Sequence, residues 1–212
     1  MRIYIVGDSQ AQGAGATLAA KLTAQGHTVE RDSKHGADSA KVLQLAQQRA
    51  GQPFDMVVVF SGSTAGGAPA AKGIPALWPS AKVIWYGSSP ATKILDLKLA
   101  QKVFGPHVKT ADHWQTSGEA AAREARNAQL PKLLPAGVQY VDWRRLSWPG
   151  GAFPAQADGI HVGKASAEVA FSAPNWPPPA AGLQLGQLAL PAALVALAVW
   201  IAHRQGWLRG LW

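Results

Sequence analysis

Residues 55–60 read DMVVVF, and nothing in that hexapeptide alternates. A strand with one wet face alternates polar and apolar residues, so an unbroken β-branched run suits a strand covered on both sides. Such strands belong to parallel sheets sandwiched between helices. Residues 82–87, KVIWYG, repeat the pattern. Further strand signals lie at Arg2–Val6, Thr28–Glu30 and Val138–Trp143. Helical stretches fall between them, at Ala14–Gln25, Ser39–Ala50, near Ile94–Phe104 and at Ser117–Gln129, and residues 164–171 read as a closing helix. Gly26 and Gly51 stand where helix C-caps belong. The alternation predicts an α/β domain, a three-layer α/β/α sandwich with a parallel sheet. No internal repeat interrupts it.

With 48% apolar residues in a chain of 212, a sizeable core can form. The absence of cysteine excludes disulfides, thiolate metal sites and a cysteine nucleophile. Net charge is +8, yet Lys and Arg are scattered, with no run of five or six. That charge suits an anionic surface such as cell-wall polymer or lipid headgroups, or else a solvated surface with no partner. Phosphate-loop and nucleic-acid motifs are absent, so no nucleic acid is expected as a partner. No His/Asp/Glu grouping has metal-ligand spacing, and no cofactor is implied.

The two ends of the chain differ. Met1–Val6 carries one Arg and no apolar segment of signal-peptide length. From Phe171 to Ala202 no residue is charged, and Leu183–Ala202 would span about 30 Å as a helix. Trp200, Trp207 and Trp212 stand at or beyond its far end, where interfacial tryptophans belong. The sequence therefore predicts a domain over residues 1–172, a Pro-rich linker over 173–182, a membrane-spanning helix over 183–203 in contact with the lipid bilayer, and a short tail over 204–212. A buried or partner-packing helix is the other reading of 183–203. Arg204 and Arg209 favour a cytoplasmic C-terminus, whereas no signal segment is seen that would export the domain. A tail-anchored protein with its domain inside, or insertion by another route such as an internal virion membrane, both fit.

At the first strand's end the chain reads IVGDSQAQGAG, residues 5–15. Ligands of parallel α/β sheets bind outside the carboxyl ends of the strands, so Ser9 stands where chemistry is done. One use of such a turn is dinucleotide binding by G-x-G-x-x-G. With Gly7 first, Ser9 and Gln12 fill the other two glycine positions and the fingerprint fails, although Glu30 and Asp32 resemble the ribose-binding acid. The other use is nucleophilic. A serine hydroxyl needs a base in hydrogen-bond reach, and the base needs an orienting acceptor. Among the six histidines, His161 stands out, because ADGIHVG places Asp158 three residues before it in a Gly-containing loop after the last strand. Ser9 as a helix cap and His161 as a structural loop residue are the plainer alternatives.

Gly-Asp-Ser after the first strand and Asp-Gly-Ile-His after the last resemble the SGNH family of GDSL-type esterases and lipases. The resemblance covers about residues 1–170. SKHGADS supplies Gly36 where the family has the glycine of its second block, and FSGSTAGG supplies Gly62, Ser63 and Thr64 where the third block usually has Gly-x-Asn. The resemblance implies a flavodoxin-like sheet and a serine ester hydrolase. Ser9 is then the nucleophile, His161 the general base and Asp158 its orienting partner. The oxyanion hole draws on the backbone N–H groups of Ser9 and Gly36. Its third donor is usually an asparagine; here Thr64 holds the position, with Ser63 beside it. The family implies acyl-ester substrates, such as acetylated glycans or lipids, and the charge and anchor tilt these toward the cell envelope. A membrane-anchored structural or glycan-binding protein of an envelope or virion, with a degenerate site, is the competing expectation.

Overall fold

The computed structural model describes residues 1–61, 68–89, 98, 101, 117–149, 161–172 and 175–177. Its strands are β1 (Arg2–Gly7), β2 (Thr28–Ser33), β3 (Met56–Phe60), β4 (Lys82–Tyr86) and β5 (Gln139–Val141). Its helices are α1 (Ser9–Ala24), α2 (Ser39–Gln47), α3 (Ala68–Leu77), α4 (Ser117–Leu133) and α5 (Lys164–Ala170), with a 3-10 turn at Trp143–Arg145. The five strands form one parallel sheet in the order β2-β1-β3-β4-β5. The parallel α/β expectation is met. The strand order reverses between β1 and β3, and there the open crevice of a doubly wound sheet lies, just past Gly7 and Phe60.

Side-chain alternation on buried strands divides the core in two. Ile3, Ile5, Val58, Phe60, Ile84 and Tyr86 face α1 and α5. Tyr4, Val6, Val57, Val59, Val83 and Trp85 face the layer of α2, α3 and α4. The first layer carries the aromatic packing that matters for the site. Phe60 and Tyr86 stack at 4.9 Å, and Phe171, at the end of α5, meets both edge-on at 6.3 and 5.7 Å. Such pairs add roughly 0.5–1.5 kcal/mol each beyond the area they bury. They seat the C-terminal end of α5 against the last residues of β3 and β4.

The boundaries depart from the sequence reading in instructive places. α1 begins at Ser9, not Ala14, because Asp8 serves as its N-cap and accepts a hydrogen bond from the Gln10 N–H at 2.9 Å. β2 runs on to Ser33 as a half-exposed edge strand. α3 escapes a reading by propensity, since Gly73 and Pro75 fall within ten residues; packing against α2 overrides them. The helix predicted near Ile94–Phe104 lies outside the described residues apart from positions 98 and 101, both helical.

Residues 1–178 form one compact unit and 179–212 another. Asn175–Pro177, read from sequence as part of the linker, belong to the first. Asn175 is buried, its side chain accepting from the Ser147 N–H at 2.7 Å and donating to the Ser147 carbonyl at 2.9 Å. Trp176 packs edge-on against Phe171. Among the described residues no helix is long and apolar enough to cross a membrane. The expected span at 183–203 lies outside them.

Candidate active site

The turn at Gly7-Asp8 is dictated by close approach. A Cβ on Gly7 would lie 2.1 Å from the Phe60 carbonyl oxygen, so only glycine fits. The Asp8 N–H donates to that same oxygen at 3.0 Å, extending the β1–β3 ladder by one step before the chain turns into α1. Asp8 is 1% exposed and spends its carboxylate on capping the helix. Ser9 follows as the first residue of α1, half-buried, in the turn whose N–H groups have no intrahelical acceptor and favour negative charge.

His161 comes three residues before α5 and is half-buried. Its loop is seated on the start of α1 by contacts from the next residue. The Val162 N–H donates to the Gln10 side-chain carbonyl at 3.1 Å, and the Val162 carbonyl packs beside Gly13. The His161 ring lies 5.9 Å from that of His35, tilted by 33°. His35 precedes Gly36, whose φ of +67° lies in the left-handed region that favours glycine. The carboxyl ends of β1 and β2 and the entry to α5 thus bring Ser9, the His35–Gly36 turn and His161 to one rim. Asp158 and Thr64, with Gly62 and Ser63, lie outside the described residues. Ser61, the last described residue after β3, is buried, and its carbonyl accepts from the Trp85 indole N–H at 2.9 Å.

Several polar residues behind this rim had no motif to announce them. Gln10 is 2% exposed, and its Nε2 donates to the Ser89 hydroxyl at 3.1 Å. Asn127 of α4 grips Ser88 from both sides, accepting from its N–H at 2.9 Å and donating to its carbonyl at 3.0 Å. Arg123, also buried, donates to the Ser89 carbonyl at 3.3 Å. Gln10 did leave a trace in the sequence. It stands four residues before Ala14 on the stripe that continues through Leu18 and Leu22, a polar side chain on a buried face.

The acids that resembled a ribose site are engaged elsewhere. Arg2 pairs with Glu30 at 2.6 Å, and Arg49 pairs with Glu30 at 3.0 Å and Asp32 at 2.8 Å. The Tyr4 hydroxyl donates to Asp32 at 3.1 Å; burial, then the Asp32 charge, push the phenol well above its usual range. A cleft of about 380 Å³ opens near the starts of β4 and β5, lined by Lys72, Pro75, Trp78, Pro135 and Val138 among others. Its lining supplies one amine and no hydroxyl–imidazole pair. Among the described residues no group of three His, Asp or Glu could hold a metal.

Solved structures share this fold. The periplasmic domain of a lipopolysaccharide acetyltransferase from Salmonella ser. Paratyphi A matches with a TM-score of 0.52 at 14% identity, covering 80% of this chain and 80% of that one. The C-terminal catalytic domain of peptidoglycan O-acetyltransferase A from Streptococcus pneumoniae matches at 0.53 and 16% identity, covering 79% and 86%. Phospholipase A1 from Streptomyces albidoflavus matches at 0.52 and 14% identity, covering 80% and 95%. At such identities the likeness is one of fold, and it is the α/β fold that the SGNH resemblance implies. No family model matches the sequence, and no curated protein matches it.

Proposed function

We propose that this protein is a serine ester hydrolase acting on acyl esters through Ser9, His161 and Asp158. The observation that carries the reading is the 3.1 Å bond from the Val162 N–H to Gln10, which ties the residue after His161 to the residue after Ser9. In the proposed reaction the Ser9 hydroxyl gives its proton to His161 and attacks the ester carbonyl. The tetrahedral oxyanion is held by the N–H groups of Ser9 and Gly36 and the Thr64 hydroxyl. The intermediate collapses, the alcohol leaves with the proton from His161, and an acyl-Ser9 ester remains. Water then attacks that ester with His161 again as base, releasing the acid and restoring the serine. Asp158 orients the imidazole and stabilises its charged form.

The structures sharing the fold include a phospholipase and two acetyltransferases, named for lipopolysaccharide and peptidoglycan. We extend the proposal to substrates of that kind, envelope glycan or lipid, reached by a domain anchored through 183–203. Labelling the full-length protein with a fluorophosphonate tests the chemistry. The label is expected on the peptide containing Ser9 and is expected to vanish in Ser9→Ala; a label elsewhere, or none, overturns the assignment. Protease protection of the domain in sealed vesicles reports the orientation of the anchor.

One observation favours a second reading. Thr64 stands where the resembled family usually has asparagine, and removing an oxyanion donor costs about 10²–10³ in rate where that has been tested. A glycan-binding protein with a degenerate site would bind acetylated glycan yet leave aryl esters intact.

A further inference from the structure

The Gln10 side chain hydrogen-bonds both the loop after β4 and the residue that follows His161. Its Oε1 accepts from the Val162 N–H and its Nε2 donates to Ser89 Oγ, both at 3.1 Å, with Gln10 and Ser89 almost wholly buried. The Val162 donor fixes which end of the amide is oxygen, so the orientation of the group is not arbitrary. We propose that Gln10 is the positioning residue that sets the His161 imidazole against the Ser9 hydroxyl. This rests on the reading of Ser9 and His161 as nucleophile and base.

Those two residues are 152 positions apart, and the ladders that order the sheet end at Gly7 on β1 and Val141 on β5. Beyond the strand ends each loop needs its own anchor. Gln10 is joined to Ser9 by one peptide bond and Val162 to His161 by another. A single hydrogen bond between Gln10 and Val162 therefore links the hydroxyl-bearing residue to the imidazole-bearing residue by a very short path. The peptide plane that Gln10 holds is the one immediately after His161, which directs where that ring is presented.

The other end of the amide is anchored too. Ser89 is held through its carbonyl by Arg123, and Ser88 is clamped by Asn127. Gln10 is thus braced against α4 across the loop after β4, and does not swing with α1 alone. A neutral amide also suits this place. A carboxylate bonded to the peptide that follows His161 would favour a protonated imidazole, which cannot act as a base. An error of about 1 Å between reacting groups costs on the order of 10² in rate, so a brace of this kind has kinetic consequences.

The test compares Gln10→Met, which keeps the length without hydrogen bonds, with Gln10→Glu, which keeps an acceptor for Val162 while the Ser89 hydroxyl turns to donate. Both are made in the full chain, with Ser9→Ala as control, and assayed on p-nitrophenyl acetate. Gln10→Met is expected to lower kcat about 10²-fold with KM within about twofold. Its Val162 amide is expected to exchange with solvent at least about tenfold faster while β1, β3 and β4 stay protected. Gln10→Glu is expected to restore most of kcat at high pH and to move the acidic limb of the profile upward, since the added charge raises the pH at which His161 becomes neutral. His35 is present in both variants, so that shift reports the new carboxylate. A Gln10→Met protein with wild-type kcat, or with unchanged exchange at Val162, overturns the inference. So does loss of activity in both variants in proportion to loss of fold. A wild type inert to ester and fluorophosphonate, or a Ser9→Ala variant as active as wild type, overturns instead the reading beneath it, and the inference falls with it.

Discussion

Two polar clusters sit beside β1, and they solve opposite problems. Along β2, Glu30 and Asp32 are matched by Arg2, Arg49 and Tyr4. These charges are 22% to 38% exposed, so water screens them and their pairing stabilises modestly. At the carboxyl rim the buried members bonding across elements include an amide and hydroxyl, Gln10 and Ser89, and the hydroxyl and imidazole of Ser9 and His161 stand half-buried in front of them. The first cluster neutralises itself, two guanidinium groups against two carboxylates. The second bonds its buried amide and hydroxyl together and leaves the groups proposed to react half-exposed. Charge density alone would have pointed to the first cluster, not to the rim proposed as the site.

The contrast can be broken most severely at the rim. His161→Ala is expected to lower esterase kcat/KM by on the order of 10²–10⁴, with the urea unfolding midpoint unchanged. A variant that keeps its activity makes the rim as structural as the β2 cluster. Gly7→Ala comes next. Its methyl group must displace the Phe60 carbonyl and the Asp8 bond to it, and a loss of about 3 kcal/mol in urea unfolding is expected. An alkaline titration separates the two core layers less sharply. Tyr4 and Tyr86 both have phenols raised by burial, the raised value lying above the unfolded one. Their contribution is therefore complete below about pH 10 and is lost as pH rises, by roughly 1 kcal/mol per unit for each phenol that must ionise. Tyrosinate absorbance is expected to grow together with loss of the fold rather than before it. The smallest effect belongs to Arg49→Met, which leaves Asp32 its Tyr4 bond and Glu30 its Arg2 partner. About 1 kcal/mol of stability and no change in kcat are expected; a drop in kcat would tie the β2 cluster to the site.

The sheet was legible because buried strands announce themselves. DMVVVF and KVIWY became β3 and β4 within a residue of their predicted bounds. α1 was foreshortened because the run Gln10–Gly15 contains two glycines and two glutamines and looks like loop; the Asp8 cap and the burial of Ala11 and Ala14 make it helix. The rim was legible in part. Gly7-Asp8-Ser9 and His161 carry a recognisable pattern, and Gly36 a positive φ. His35, Ser89 and Asn127 were silent, since their importance lies in contacts between residues far apart in sequence. Asp158 and Thr64 rest on the pattern of residues alone.

α1 and α5 pack side by side, although one opens the domain and the other all but ends it. A nascent or truncated chain lacking the segment around 161–171 would still possess its serine, its tight turn and all five strands of the sheet. It would lack the imidazole and the Phe171 wedge. On the proposed reading the reaction is therefore withheld until synthesis of the domain is nearly finished, and a deletion late in the domain would silence the earliest-made residues.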